Sequence, residues 1–414
     1  MINDEMQYRY RSDAHFVYPD YNGYNFANIN NTILSLFDIN HNGKGLEKKL
    51  YNNITGNRKV VFIYMDGTGY DSWVNYLGNY KAFQEFNRSG IVSPITTIFP
   101  STTAAASNTI NTGVPPWEHG LFEWRLYIEK YNMVLKSLPF IPAYKQDRSE
   151  FKVLDPDPSL LFHGKTFYET LKENGIKSYV LSYSELLKSS YSKIMYSGAK
   201  ERKRYDFLFE GFMILKKLLG KMKEDSYTFF YIEEPDKMEH RYGPGSPEHL
   251  ESLHYIAEMF DMLLKELAGQ DISVIVSSDH GFTPVNSKIY VSGVEDLLSS
   301  NNGKKIPESW SPRDMSMHTE VPVKLKLLLE NQLEGKADVI TRHELISSGI
   351  MGKPDDKYMS RIGDVIVLPY SGNTVWYRYY EDDIIKDRGM HGGLSKEEMV
   401  IPFSTLNLKD IKNY

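Results

Sequence analysis

The chain has no cysteine among its 414 residues. Disulfides, thiolate metal sites and cysteine nucleophiles are excluded together. The absence suits a reducing compartment. No apolar run approaches the ~20 residues of a membrane span, so no membrane partner is expected. The opening residues, M-I-N-D-E-M-Q-Y-R-Y, lack the apolar core of a secretory leader, and a cytoplasmic location is the expectation. No sign of charge dominates: the net charge is −6, with acids and bases interspersed. That argues against a stable nucleic-acid partner but leaves room for a small phosphate ligand. Internal repeats and low-complexity tracts are also missing.

What is present is length enough for one large α/β domain or two ordinary ones, with a core that needs no covalent staple. Lys59–Met65 (K-V-V-F-I-Y-M), Lys177–Leu181, Tyr227–Ile232 (Y-T-F-F-Y-I) and Ile272–Ser278 read as buried strands. Between them lie helical patterns. They are a stretch near Asn31–Phe37, part of 70–89, Ala104–Thr112 with Gly113 as its C-cap, Lys165–Asn174, Tyr205–Leu219 and a long amphipathic run through Leu250–Leu267 closed by Gly269. Strand alternating with helix implies a mostly parallel sheet flanked by helices on both faces. Residues 121–165, mixed and proline-bearing, read as a surface excursion. From 285 to 360 the pattern loosens, with helices near Val323–Leu333 and Arg342–Ser348, and reads as an inserted cap. Gly363–Leu368 and Thr374–Tyr377 return to strand.

One strand runs straight into two potential metal ligands: I-S-V-I-V-S-S-D-H-G, residues 272–281. Asp279 and His280 stand where the strand stops, and Gly281 permits a sharp turn. In open α/β sheets chemistry sits at the carboxyl ends of strands. Three other places put Asp or His at a strand end or just past one: Asp66 before Gly67, Asp236 and His240 in P-D-K-M-E-H, and His391 in G-M-H-G-G. Each alone is an ordinary residue, since Asp before Gly is a common turn and a lone His is usually structural. Their coincidence with strand ends and glycines carries the argument.

The charge count agrees. Two divalent cations bring four positive charges, and three carboxylates with one alkoxide remove four. A dianionic phosphate then meets a neutral site with two Lewis acids, suited to in-line displacement. One ion takes Asp66, Asp279 and His280 with the nucleophile; the other takes Asp236, His240 and His391. Nitrogen and carboxylate donors without thiolate suit Zn²⁺ first and Mn²⁺ second. A hydroxyl at a helix N-terminus is placed to meet an incoming phosphate. Ser101, Thr102 and Thr103 all qualify by position.

With these residues assembled, the chain resembles the alkaline phosphatase superfamily, in its nucleotide pyrophosphatase/phosphodiesterase branch. The matching pieces are M-D-G at 65–67, F-P-S-T-T at 99–103, T-G-V-P-P-W-E-H-G at 112–120, E-P-D-K-M-E-H-R-Y-G-P at 234–244, S-D-H-G at 278–281 and H-G-G-L at 391–394. The resemblance implies a single alkaline-phosphatase-like α/β domain over 1–414, with the cap inserted. It implies a two-metal phosphoesterase, a phosphodiesterase or nucleotide pyrophosphatase, acting on a small phosphoester or nucleotide through a covalent Ser/Thr intermediate. The family's ligand pattern falls on Asp66, Asp236, His240, Asp279, His280 and His391. Its nucleophile lies nine positions before the Thr of a Thr-Gly step, here Thr112-Gly113, which selects Thr103, with Thr102 second.

Two departures stand out. In that branch the nucleophile usually precedes Phe-Pro-Asn, whereas here Phe99-Pro100 precedes Thr103. An Asn commonly follows the His-Gly there to hold a phosphate oxygen, whereas here Trp124 stands near that point, and His119 reads as structural. Phe122, Trp124 and Tyr127 are candidates to stack a base, and Arg125 and Arg313 to grip a second phosphate. A phosphomonoesterase or phosphomutase is the sibling alternative, and a non-catalytic phosphate-ligand binding protein the alternative from another class. A sulfatase is disfavoured, with no cysteine and no C/S-x-P-S-R motif.

Overall fold

The computed structural model describes residues 10–56, 58–411 and 414. The opening residues, on which the expectation of no secretory leader rests, lie outside the described residues. Seven strands form the central sheet: β1 (Lys59–Met65), β2 (Ile91–Thr96), β3 (Lys177–Tyr183), β4 (Glu201–Tyr205), β5 (Ser226–Ile232), β6 (Ser273–Ser277) and β7 (Val400–Asn407). Their lateral order is β2-β7-β6-β1-β5-β3-β4. From β6 to β4 all neighbours are parallel, while β7 runs antiparallel to both of its neighbours. The expected mostly parallel sheet is therefore present.

Side-chain parity in β5 shows how the sheet is covered, because alternate residues point to opposite faces. Phe230 packs on Phe212, with ring centroids 5.1 Å apart. Phe212 lies in the helix Leu208–Leu219, which meets Phe260 of the long helix Pro247–Leu267. On the other face, Tyr227 packs edge-on against Phe167 at 5.5 Å, in the helix Phe167–Glu173. Both faces are thus buried under helices, as the unbroken apolar strands require. The helix Pro247–Leu267 buries Leu253, Ile256, Ala257, Phe260, Leu263, Leu264 and Leu267, each large side chain worth about 1.5–3 kcal/mol. Ser246 caps its start, its side chain accepting from the His249 N–H.

Three segments differ from the sequence reading. β4 reads E-R-K-R-Y and is mostly exposed; it is an edge strand, where charge guards against pairing with other chains, so its composition hides it. Residues 121–165 hold a three-stranded sheet, Arg125–Ile128, Met133–Lys136 and Ile141–Pro142. Its strands are too short to display alternation, yet Leu126, Val134 and Leu135 are buried. A second apolar cluster, from Val291 to Met390, includes Met315, Leu329, Val367 and Trp376, so it runs past the expected end at 360. The strands Val365–Pro369 and Asn373–Tyr377 belong to it, pairing with Ala337–Thr341 and Ser287–Val291. No helix among the described residues is long and apolar enough to cross a membrane.

Candidate active site

Register sets the site. In the parallel ladder Met65 lies opposite Ile232 and Tyr64 opposite Ser277, so β1, β5 and β6 end together. Asp66 follows β1 directly, and Asp279 and His280 follow β6. β5 passes within two residues into the helix Glu234–Tyr242, whose i, i+4 spacing places Asp236 and His240 on one face. His391 follows the short strand Gly389–Met390, paired with Thr283–Pro284. Two glycines allow the approach. Gly67 has φ +76° and would bring a Cβ within 2.9 Å of the Asp236 Cα; a Cβ on Gly281 would lie 2.1 Å from the Glu397 carbonyl.

All six predicted ligands converge. Ligand atoms of Asp66, Asp279 and His280 lie within 4.8 Å of one another. His240 Nε2 is 3.2 Å from His391 Nε2 and 3.5 Å from Asp236 Oδ1, and His391 Nε2 is 3.8 Å from that same oxygen. His280 lies close enough to form an alternative trio with Asp236 and His391. Its ring stacks on His391 at 3.5 Å, so it stands between the two ligand groups.

The outward nitrogens show what these groups are arranged to hold. His240 Nδ1 meets the Gly389 carbonyl at 3.2 Å, His280 Nδ1 the Gly281 carbonyl at 3.1 Å and His391 Nδ1 the Ser101 carbonyl at 3.0 Å. A carbonyl only accepts, so each ring donates through Nδ1 and turns Nε2 toward the cluster, where a metal ligand's lone pair is needed. Two such nitrogens, of His240 and His391, face each other. Asp279 Oδ2 and Asp236 Oδ1 are buried without a hydrogen-bond partner. Burial with Asp279 and Asp236 nearby pushes the Asp66 carboxyl well above its usual range. Burial pushes Asp236 up to about 6 even beside His240. Burial and neighbouring imidazoles hold His391 well below its ordinary value, and burial first of all does the same to His280. Buried acceptors with nothing to accept, gathered in one cluster, fit divalent cations.

Thr103 is the first residue of the helix Thr103–Thr112, with Thr102 as its N-cap. The Thr103 hydroxyl lies 3.1 Å from His280 Nε2 and 3.3 Å from Asp66 Oδ1. Ser101 points elsewhere, its hydroxyl donating to the Gly393 carbonyl at 2.7 Å. Among the three candidate hydroxyls, Thr103's is the one bonded to the ligands. A cavity of about 540 Å³ opens over this cluster, lined by Thr102, Thr103, Asp66, Asp236, His240 and His391 and, further out, by Glu123, Trp124, Arg125, Lys136 and Asp383.

The proposed substrate contacts divide. Trp124 is 39% exposed and lines the cavity; Phe122 and Tyr127 are buried. Arg125 lines the cavity, but both its outer nitrogens already bind Asp383, at 2.7 and 3.0 Å. Arg313 is a correction: it is fully buried and does not line the cavity. Its Nε and Nη2 bind Glu398 at 2.9 and 2.7 Å, and Nη1 donates to the Tyr370 and Asn373 carbonyls. Glu398 in turn accepts from the Gly393 N–H at 3.0 Å, so Arg313 braces the loop that carries His391. In sequence, S-P-R-D looked like a polar cap segment because its partner lies 85 residues away. Arg313→Met leaves a buried carboxylate unpaired and is expected to cost about 3–5 kcal/mol. Denaturant unfolding checks this; unchanged stability with a raised KM would restore a substrate role. His119, read as structural, is buried and bonded to Thr109 Oγ1 at 3.0 Å.

Sequence reasoning missed Tyr231, whose hydroxyl donates to Asp66 Oδ2; nothing in Y-T-F-F-Y-I marks one aromatic as polar-facing. It also missed Glu123, a buried neighbour of Trp124 whose carboxyl burial pushes up to about 8.

Comparison with known proteins bears on the family and the fold. A sequence profile of the family described as type I phosphodiesterase / nucleotide pyrophosphatase matches residues 60–394. Venom phosphodiesterase 2 of Crotalus adamanteus is 26% identical over 200 residues, 46% of this chain and 22% of that protein. Human ectonucleotide pyrophosphatase/phosphodiesterase family member 1 is 27% identical over 210 residues, 47% of this chain and 20% of that protein. The chain thus spans about a fifth of the length of these relatives. Among solved structures, murine ectonucleotide pyrophosphatase/phosphodiesterase 5 has a TM-score of 0.63 at 16% identity, covering 84% of this chain and 87% of its own. An inactive threonine-to-alanine variant of that protein has been solved in complex with AMP. Phosphonoacetate hydrolase from Sinorhizobium meliloti has a TM-score of 0.62 at 18% identity, covering 86% and 95%. These two share the fold.

Proposed function

Because the chain belongs to the type I phosphodiesterase/nucleotide pyrophosphatase family of the alkaline phosphatase superfamily, we propose that it is a metal-dependent phosphodiesterase or nucleotide pyrophosphatase with Thr103 as nucleophile. The observation that carries the reading is the place of the Thr103 hydroxyl, 3.1 Å from His280 Nε2 and 3.3 Å from Asp66 Oδ1, in a cluster where an Asp279 and an Asp236 oxygen are buried without a hydrogen-bond partner. Asp66, Asp279 and His280 hold one divalent cation, and Asp236, His240 and His391 the other, with zinc preferred and manganese second. When bound, the two cations supply Lewis acidity that lowers the pKa of the hydroxyl and offsets charge on the phosphate oxygens.

The chain's own groups do the rest. Thr103 stands at a helix N-terminus, where backbone N–H groups favour an incoming anion. Its oxygen forms a bond to phosphorus while the bond to the leaving oxygen breaks on the far side. The leaving group departs with a proton as an alcohol or phosphate. Water then attacks the phosphothreonine ester, releasing the monoester and restoring the Thr103 hydroxyl. Tyr231 keeps one Asp66 oxygen occupied, which turns the other toward Thr103. The cluster spanning 291–390 forms a cap that, with residues 121–165, shapes the outer cavity. We also propose a cytoplasmic location on the cysteine-free composition; a fluorescent fusion found outside the cytosol would overturn that.

The test is turnover of bis-p-nitrophenyl phosphate and p-nitrophenyl phosphate by protein supplied with Zn²⁺ or Mn²⁺. Faster metal-dependent hydrolysis of the diester is the expected result. Preference for the monoester points to the phosphomonoesterase alternative. Metal binding without turnover of any phosphoester points to a binding protein.

A further inference from the structure

Arg125 and Lys136 stand directly opposite each other in the small antiparallel sheet, so their side chains share a face. Both line the cavity that holds Thr103. Arg125 is committed to Asp383 through two hydrogen bonds, and Asp383 is further engaged by Trp376 Nε1 at 2.9 Å. The Lys136 ammonium has no hydrogen bond or ion pair among the described residues. Burial first of all, then repulsion from Arg125 and Arg148, holds its ammonium below the ordinary lysine value, with Asp383 opposing from beyond contact distance.

The remaining carboxyls around it do not balance this. Burial pushes Glu123 and Glu308 each up to about 8, which weakens both as counter-charges at neutral pH. Glu233 is taken by Lys237, and Asp387 lines the cavity without pairing to Lys136. Two cations directly opposite on a half-buried face are unfavourable unless something answers them. Within the chain, one carboxylate answers one of them. Next to Arg125, the half-exposed indole of Trp124 gives the same wall an apolar surface.

We propose that Lys136 receives a second anionic group of the substrate, a phosphate or carboxylate carried beyond the reacting phosphorus, and so sets preference among phosphoesters. This rests on the phosphoesterase reading for its substrate but not for its measurement. Binding is read on the metal-loaded full chain carrying Thr103→Ala, where no turnover is needed. The ligands are two matched pairs: AMP with ADP, which differ by one phosphate, and phenyl phosphate with 4-carboxyphenyl phosphate, which differ by one carboxylate. Charge-assisted hydrogen bonds are the strong ones, so the member with two anionic groups, in at least one pair, is expected to bind about tenfold tighter. Lys136→Met removes that gap and Lys136→Arg keeps it. A gap in one pair alone identifies the anion. No gap in either pair, or a gap that survives Lys136→Met, overturns the proposal, whether or not esterase activity is found.

Discussion

Thr103→Ala is expected to lower kcat on any phosphoester by at least about a thousandfold, because a covalent route has no substitute for its nucleophile. Thr103→Ser keeps a hydroxyl at the same helix start and is expected to stay within about tenfold of wild type. Thr102→Ala is the control. Thr102 is the N-cap residue, yet its side chain makes no capping hydrogen bond, and its hydroxyl is not among those bonded to His280 or Asp66. Its loss is expected to cost less than tenfold. Rapid-quench trapping of a phosphorylated peptide, followed by mass spectrometry, reads the same assignment independently. Label on Thr102 or Ser101, or a Thr103→Ala protein that still turns over, would remove Thr103 from its role.

The second large effect concerns the cations and has opposite signs with and without them. Chelation is expected to abolish turnover, and Zn²⁺ or Mn²⁺ to restore it at two ions per chain by elemental analysis. Ligand at a thousand times its Kd stabilises by about 4 kcal/mol, so melting is expected to rise by about 5 °C or more on metal addition. Asp279→Asn removes one buried carboxylate whose charge helps to raise the Asp66 and Asp236 carboxyls above their usual range. Without metal, relieving that repulsion is expected to make the variant melt higher than wild type. With metal, the variant is expected to bind at most one ion and melt lower. Calorimetric scans of both proteins in both states check this. A variant that is less stable in both states would mean Asp279 acts through packing, not through charge.

Much of this site was legible because its ligands follow strands. The runs K-V-V-F-I-Y-M and I-S-V-I-V-S are apolar enough to be recognised alone, and Asp66, Asp279 and His280 follow directly from them. Asp236 and His240 were legible for a related reason, since they lie just past the end of the apolar run Tyr227–Ile232. The outer cavity was not legible. Trp124 and Arg125 were named for the right wall, but only folding shows that Asp383, 258 residues on, already occupies Arg125. Arg313 was misplaced because burial of an arginine depends on a distant carboxylate, which no local pattern announces. Lys136 went unnoticed because it is one lysine among many until a cross-strand partner is known. Strand β4 was hidden for the converse reason: an edge strand is selected for solubility, and its charge masks its period.

By itself the sequence determined the alternation of strand and helix, and it singled out the six candidate ligands and the hydroxyls at one helix start, because these follow from local periodicity and adjacency to strand ends. The tertiary structure decided which hydroxyl meets the ligands, which cations are already paired and which one faces the cavity unanswered. Those are facts about charges brought together from remote parts of the chain, and Coulomb energy and desolvation depend on distance in space, not on separation in sequence.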